Sequence, residues 1–296
     1  MIAAGVKDKI DCFALVKGPG RRRMSDIRYL DTTTNEYRLA KFDLGDPEWY
    51  DTWGAFLPVL RNHLKEKGWF ERATLSFDEK PEKYMRLIFD FLIKHAKDFK
   101  ISIAGGGHYP GDKRKWADEI SLYYDILTDE AEWEQMKPLV KRMKADPGRY
   151  VTFYTACEPP LPNCFLYSPL RESRLLPWLA WKYGLDGYLR WASNAFPEEV
   201  WEQPNYKWHS GDMYFVYPGP DGPLDGMRWE LMRQGIQDYE ALRIAQESAE
   251  AAGRADLIKT LNEAVRTGTV ISDCHRVPRV GEARAIVNEV IRELGG

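Results

Sequence analysis

The chain is poor in cysteine, short of long apolar runs and without a surplus of positive charge. Its four cysteines (Cys12, Cys157, Cys164 and Cys274) lie far apart, with no C-x-x-C pair and no histidines at zinc spacing. A zinc site is therefore not expected. The five histidines (His63, His95, His108, His209 and His275) are isolated in sequence, so no other metal or cofactor is expected either. Cys157 and Cys164 end the stretch "CEPPLPNC" and read either as a disulfide or as two thiols near a strand end. No window approaches the roughly 18 consecutive apolar residues of a membrane-spanning helix. The start "MIAAGVKDKIDCFALV" has neither the apolar stretch nor the cleavage site of a signal peptide. As written, the chain reads as soluble and unexported; its localisation stays open, because a longer N-terminus would be free to carry an export signal. A net charge of −3 with dispersed Lys and Arg leaves no basic footprint for nucleic acid. The one basic cluster, "KGPGRRRM" (17–24), reads as a solvated loop. "IAGGGHYPGDKRK" (103–115) lacks both G-x-x-x-x-G-K-[ST] and G-x-G-x-x-G, so it reads as a glycine-rich loop with His108 and Tyr109 as rim contacts to a substrate.

Aromatic residues, by contrast, are plentiful: 13% of 296 residues, including 11 tryptophans, many beside charged or amide side chains. Aromatic faces stack on the apolar faces of sugar rings, although large cores also use tryptophan. Short apolar runs alternate with longer amphipathic segments, the pattern of βα units around a parallel sheet. Strands are expected at 10–16, 73–78, 100–105, 120–126, 150–157 and 187–193. Helices are expected at 46–68, 82–98, 129–146 and 172–184, with Asp46 and Pro47 opening the first, and Pro138 and Pro177 kinking theirs or marking first turns. Residues 27–43 read as an inserted hairpin, 194–226 as a long aromatic-rich functional loop, and 227–253, 255–268 and 281–296 as helices.

In a (β/α)8 barrel the reacting groups sit where strands end. At the end of the second strand candidate stands "ATLSFDEKP" (73–81), with Asp78 and Glu79 adjacent. Paired carboxylates suit glycoside hydrolysis, where one group protonates the leaving oxygen and another handles developing positive charge. Adjacent acids fit a substrate-assisted plan, in which the sugar's own 2-acetamido oxygen attacks the anomeric carbon. Glu79 is then the acid and Asp78 orients the acetamido N–H. The competing reading of "FDE" is a helix N-cap, with Asp78 capping a helix that begins near Pro81.

Downstream, "GLDGYLRWASNAF" (184–196), "GDMYFVYPG" (211–219) and "MRWELMRQGIQDYEAL" (227–242) follow "FDEKP" in order. Together they resemble the catalytic domain of glycoside hydrolase family 123, with its G-x-L-R-W-x-x-N, G-D-x-Y-L-V-Y-P-G and I-R-x-E-x-x-R-x-G-I-x-D-Y-E stretches. The resemblance implies a retaining exo-β-N-acetylgalactosaminidase on a TIM-type barrel, acting on a glycan or glycoconjugate with no cofactor, with Asp78 as acetamido stabiliser and Glu79 as general acid/base. It also suggests Trp191 as a stacking platform and Asn194 as a hydroxyl partner, against a core tryptophan and a turn asparagine. Asp212, Tyr214 and Tyr217 are expected along a short strand, one or two facing the pocket. Arg228, Glu230 and Arg233 open the next helix, where Glu230 and Arg233 could pair with each other. Asp238 and Glu240 are expected to knit helix to loop, and Tyr154 to donate its hydroxyl to the acetamido oxygen. The alternatives are a hydrolase of another sugar and a catalytically inactive or incomplete barrel that only binds carbohydrate.

In the family barrel the acid pair follows the fourth of eight strands, yet one strand candidate precedes it here and four follow. The expectation is a single catalytic domain over 1–296: an incomplete barrel of about six strands (10–250), lacking the first two βα units and an upstream β-sandwich, with C-terminal helices (251–296). Its open strand edges would be covered by a second copy, a preceding segment or the 27–43 hairpin.

Overall fold

The computed structural model describes residues 9–12, 14–105, 117–205, 207–271 and 279–295, which form two compact units. The first holds residues up to Tyr123 together with Lys141–Tyr150, and the second holds Tyr124–Val140 and everything from Val151 onward.

In the first unit, β1 (Ile10–Cys12) leads to a hairpin of β2 (Ile27–Asp31) and β3 (Glu36–Ala40), then to α1 (Pro47–Glu66). After a 3₁₀ turn come β4 (Ala73–Asp78), α2 (Glu82–His95), β5 (Lys100–Ala104) and β6 (Glu119–Tyr123). β1, β4, β5 and β6 lie side by side in that order, each neighbouring pair parallel. Side chains alternate across a strand, so the register sorts them into two faces. Leu75 and Phe77 share one face with Ile101, Ile103, Ile120 and Leu122, all buried. Asp11, Thr74, Ser76, Asp78, Ser102, Glu119 and Ser121 share the other. That second face is polar yet largely buried, and several of its groups pair with one another. Lys9 Nζ lies 3.0 Å from Asp11 and also meets Glu119, while Ser76 Oγ donates to Asp11 at 2.6 Å. Helix α1 opens at Pro47, whose missing N–H is no loss in a first turn. It buries Trp49, Trp53, Leu57 and Leu64 on one stripe, and Trp49 Nε1 donates to the Leu15 carbonyl at 3.0 Å.

The second unit contains α3 (Tyr124–Thr128), the body of α4 (Glu130–Lys144), β7 (Tyr150–Tyr154), α5 (Arg171–Lys182) and β8 (Gly187–Leu189). A hairpin of β9 (Val216–Gly219) and β10 (Gly222–Asp225) follows, then α6 (Met227–Ala251), α7 (Ala255–Gly268) and α8 (Val280–Glu293). β7 and β8 are parallel, with Thr152 opposite Gly187 and Tyr154 opposite Leu189. α5 buries eight of its twelve residues, the polar Glu172 and Ser173 among them. Asp238 on α6 accepts two bonds from Arg174, one from Trp178 Nε1 at 2.9 Å and one from Arg284 at 2.7 Å. It thereby ties α5 and α8 to α6, helix to helix rather than helix to loop, while Glu240 pairs with Arg243 on its own helix.

The α/β class stands, with six parallel strands among the described residues, as an incomplete TIM-type barrel requires. Several boundaries differ from the sequence reading. Among the described residues β1 pairs over Ile10–Cys12, β7 stops at Tyr154 and β8 at Leu189, and the expected strand at 120–126 turns helical from Tyr124. Pro138 and Pro177 both lie inside helices, and no side chain caps α2, so Asp78 is not an N-cap. Cys157 and Cys164 are thiols rather than a disulfide.

Candidate active site

β4 carries Asp78 as its last residue, on the polar face of the strand. Chain geometry then breaks at Glu79, which has φ +44°, a left-handed conformation that a residue with a Cβ seldom adopts. That break answers how two adjacent carboxylates escape strand alternation: the second acid has left the strand. Such strain persists only where the surroundings over-determine it, and it concentrates at functional sites. Here the Glu79 N–H donates to the Ala104 carbonyl at 3.3 Å and the Glu79 carbonyl accepts from Gly20 N–H at 3.2 Å. Burial, then the neighbouring Glu79 charge, push the Asp78 carboxyl up to about 6, while Lys80 pulls the other way. Lys80 is fully buried, and burial brings its ammonium down to about 8. Among the described residues no group of three or more His, Cys, Asp or Glu is placed to hold a metal.

The other residues singled out in sequence lie in the second unit. Tyr154 ends β7, buried. Beyond it, Asn163 organises the returning loop, donating to the carbonyls of Ala156 (3.0 Å) and Pro159 (2.8 Å). Its own N–H reaches the buried Glu172 carboxylate at 2.9 Å, and desolvation raises that carboxyl to about 7. Arg190, just past β8, donates to Asn163 Oδ1 at 3.2 Å and to the Asp212 carboxylate at 2.5 Å. Both members of that ion pair are less than a tenth exposed. Asp212 also accepts from Trp191 Nε1 at 3.4 Å, which sets the indole while leaving Trp191 46% exposed, as a stacking platform requires. Asn194 is exposed and bridges backbone-to-backbone with Tyr214.

Asp212 sits in a turn and Tyr214 in an isolated bridge rather than on the expected strand, which begins only at Val216 and includes Tyr217. Tyr217 stacks on the exposed Trp201, ring centroids 4.9 Å apart. Arg228 is buried and donates to the carbonyls of Cys164 (2.5 Å), Gly211 (2.8 Å) and Tyr214 (2.8 Å), clamping the loop to α6. Gly211, at φ +83°, has no room for a Cβ beside that guanidinium. Glu230 pairs with Arg233 three residues on. Next to the loop an open cleft of about 740 Å³ is lined by Cys157, Glu158, Tyr167, Lys207, Trp208 and His209, among others. His108 and Tyr109 lie outside the described residues. Sequence reasoning assigned no role to Lys80, Asn163, Glu172 or Arg190, although Lys80 stands in "ATLSFDEKP", Asn163 in "CEPPLPNC" and Arg190 in "GYLRW".

The Arg190–Asp212 pair makes a direct prediction. Removing one member of a buried pair leaves the other charge uncompensated, at about 3–5 kcal/mol. Asp212→Ala should lower unfolding stability by that order in a denaturant titration, and Asp212→Asn by less, since the amide still accepts hydrogen bonds.

The family model described as glycoside hydrolase 123, catalytic domain, matches residues 1–245 of this chain. No curated protein matches it. Among solved structures, a family 123 glycoside hydrolase from Clostridium perfringens, studied for glycolipid glycan hydrolysis, superposes with a TM-score of 0.73 at 22% identity. The alignment covers 99% of this chain and 53% of that one, so the chain spans about half the length of that relative. At this identity the superposition speaks for the fold.

Proposed function

This chain belongs to glycoside hydrolase family 123, and on that premise we propose that it removes terminal β-linked N-acetylgalactosamine from a glycan, with retention and with the substrate's 2-acetamido group as nucleophile. The observation that carries the reading is the acid pair at the end of β4, its first member desolvated and its second turned out of the strand by a left-handed backbone. In the first step the acetamido oxygen bonds to the anomeric carbon as the glycosidic C–O bond breaks. Glu79 gives its proton to the departing oxygen, and the ionised Asp78 accepts the acetamido N–H, offsetting the positive charge that builds on the cyclic intermediate. Water then attacks the anomeric carbon from the face the leaving group vacated, loses its proton to Glu79, and reopens the ring. Two inversions give retention, and Glu79 ends protonated as it began.

Exposed Trp191, Trp201 and Trp208 in the second unit support a carbohydrate ligand. The same exposed aromatics would also serve the second reading, a hydrolase-like barrel that binds sugar without turnover. A thiazoline derived from N-acetylgalactosamine, which mimics the cyclised intermediate, separates the two. The expected result is a concentration-dependent rise in Tm together with hydrolysis of an aryl β-N-acetylgalactosaminide. A rise in Tm without hydrolysis would support the binding barrel, and neither effect would remove both readings.

A further inference from the structure

We propose that Lys80 is a positioning residue for the acid pair: its buried ammonium latches the 17–21 loop against the end of β4 and so holds Glu79 in its left-handed conformation. The inference rests on the reading of Asp78 and Glu79 as the reacting carboxylates.

Lysine is almost never fully buried unless its charge is satisfied, and the Lys80 side chain is 2% exposed. An ammonium has three protons and no acceptor. Lys80 directs Nζ at three backbone carbonyls of one short loop: Lys17 at 2.5 Å, Gly18, and Arg21 at 3.4 Å. The same loop is closed at its base, where Lys17 N–H donates to the Arg23 carbonyl at 2.7 Å, and braced outside by Lys17–Asp26 and Arg23–Asp43 ion pairs. From within it, Gly20 N–H reaches the Glu79 carbonyl at 3.2 Å. Glu79 is thus held from two directions, by β5 through Ala104 and by the loop through Gly20. Only the loop contact depends on Lys80.

The basic stretch "KGPGRRRM" therefore has two parts. Its arginine side chains are exposed, as expected of a solvated loop, but its carbonyls form the cradle for a buried cation. Lys80 also lies close enough to Asp78 for its charge to favour the ionised carboxylate. Loss of Lys80 has two separable consequences. The loop is released, and the Asp78 carboxyl rises further.

The loop offers trypsin four sites, at Lys17, Arg21, Arg22 and Arg23, so its latch can be read without any activity. In the intact chain, Lys80→Met should speed cleavage within 17–23 about tenfold or more relative to wild type. It should also lower kcat roughly ten- to a hundredfold with little change in KM, the scale of a misplaced reacting group. The acid limb of the kcat profile should move to higher pH. Lys80→Arg keeps the charge and should leave the acid limb near its wild-type position, with the loop partly protected. If Lys80→Met folds with wild-type tryptic protection and an unmoved acid limb, the proposal is wrong; should Lys80→Met not fold, an acid limb in Lys80→Arg displaced as far as full charge loss predicts would also overturn it. Should wild type hydrolyse no N-acetylhexosaminide, the functional reading fails by itself. The latch is then decided by trypsin and by the carboxyl ¹³C titration of Asp78, which must shift upward in Lys80→Met.

Discussion

Glu79→Gln is expected to lower kcat about a thousandfold on a β-N-acetylgalactosaminide with an alkyl leaving group, the middle of the range for loss of a general acid. On a dinitrophenyl glycoside, whose leaving oxygen needs almost no proton, the loss should shrink to about tenfold. The contrast isolates the role, because a residue that merely shapes the pocket would slow both substrates alike. The variant should also fold normally. Glu79 is exposed, and its backbone is held by main-chain bonds to Ala104 and Gly20 that glutamine leaves in place. An exposed substitution of this kind shifts stability by no more than about 0.5 kcal/mol. Wild-type rates on both substrates would remove Glu79 from the mechanism.

The parallel strands were legible because their apolar runs are short and bounded, and "ATLSFD" matches β4 residue for residue. Ends were harder, since they are decided by partners distant in sequence. "ISLYYDI" has the composition of a strand throughout, yet only Glu119–Tyr123 pairs and Tyr124 begins a helix. "GDMYFVYPG" alternates like a strand, but Arg190 takes the Asp212 carbonyl and carboxylate while Arg228 takes the carbonyls of Gly211 and Tyr214, so its first half is pinned into turns. The acid pair could be found by type and spacing. Arg190 could not, because its acceptors come from Thr155, Asn163 and Asp212, which no local pattern connects. Lys80 escaped for a related reason: what binds it is backbone, and side-chain chemistry says nothing about where carbonyls will converge.

Asp78→Asn should do the opposite of most active-site damage: remove activity and raise stability. Asp78 has an ordinary carboxyl value of 3.8, and in the folded chain burial and the Glu79 charge lift it to about 6. Between those values the folded protein binds the proton more tightly than the unfolded chain, so wild-type stability falls as pH rises through that window and levels off above it. With about 1.4 kcal/mol per tenfold, the ionised carboxylate costs the fold up to about 3 kcal/mol at pH 7. Asparagine carries no charge to desolvate, and its own amide burial takes back part of the gain, so the variant should be about 1–2 kcal/mol more stable at pH 7. Near pH 4, where folded wild-type Asp78 is neutral and only the asparagine amide cost remains, the difference should reverse to about 1 kcal/mol in favour of wild type, which a denaturant series across pH reads directly. The catalytic side runs through the same proton. Stabilising the cyclic intermediate needs Asp78 ionised, so wild-type kcat/KM should fall as pH drops through about 6. Asparagine should lose about a hundred- to a thousandfold above pH 6 and progressively less below it, as the wild-type carboxylate protonates, with no relief from an activated leaving group, because the missing charge acts on the ring and not on the departing oxygen. A variant that loses stability along with activity would make Asp78 part of the framework. One that gains stability while losing turnover would identify a carboxylate held in an unfavourable place for the sake of the reaction.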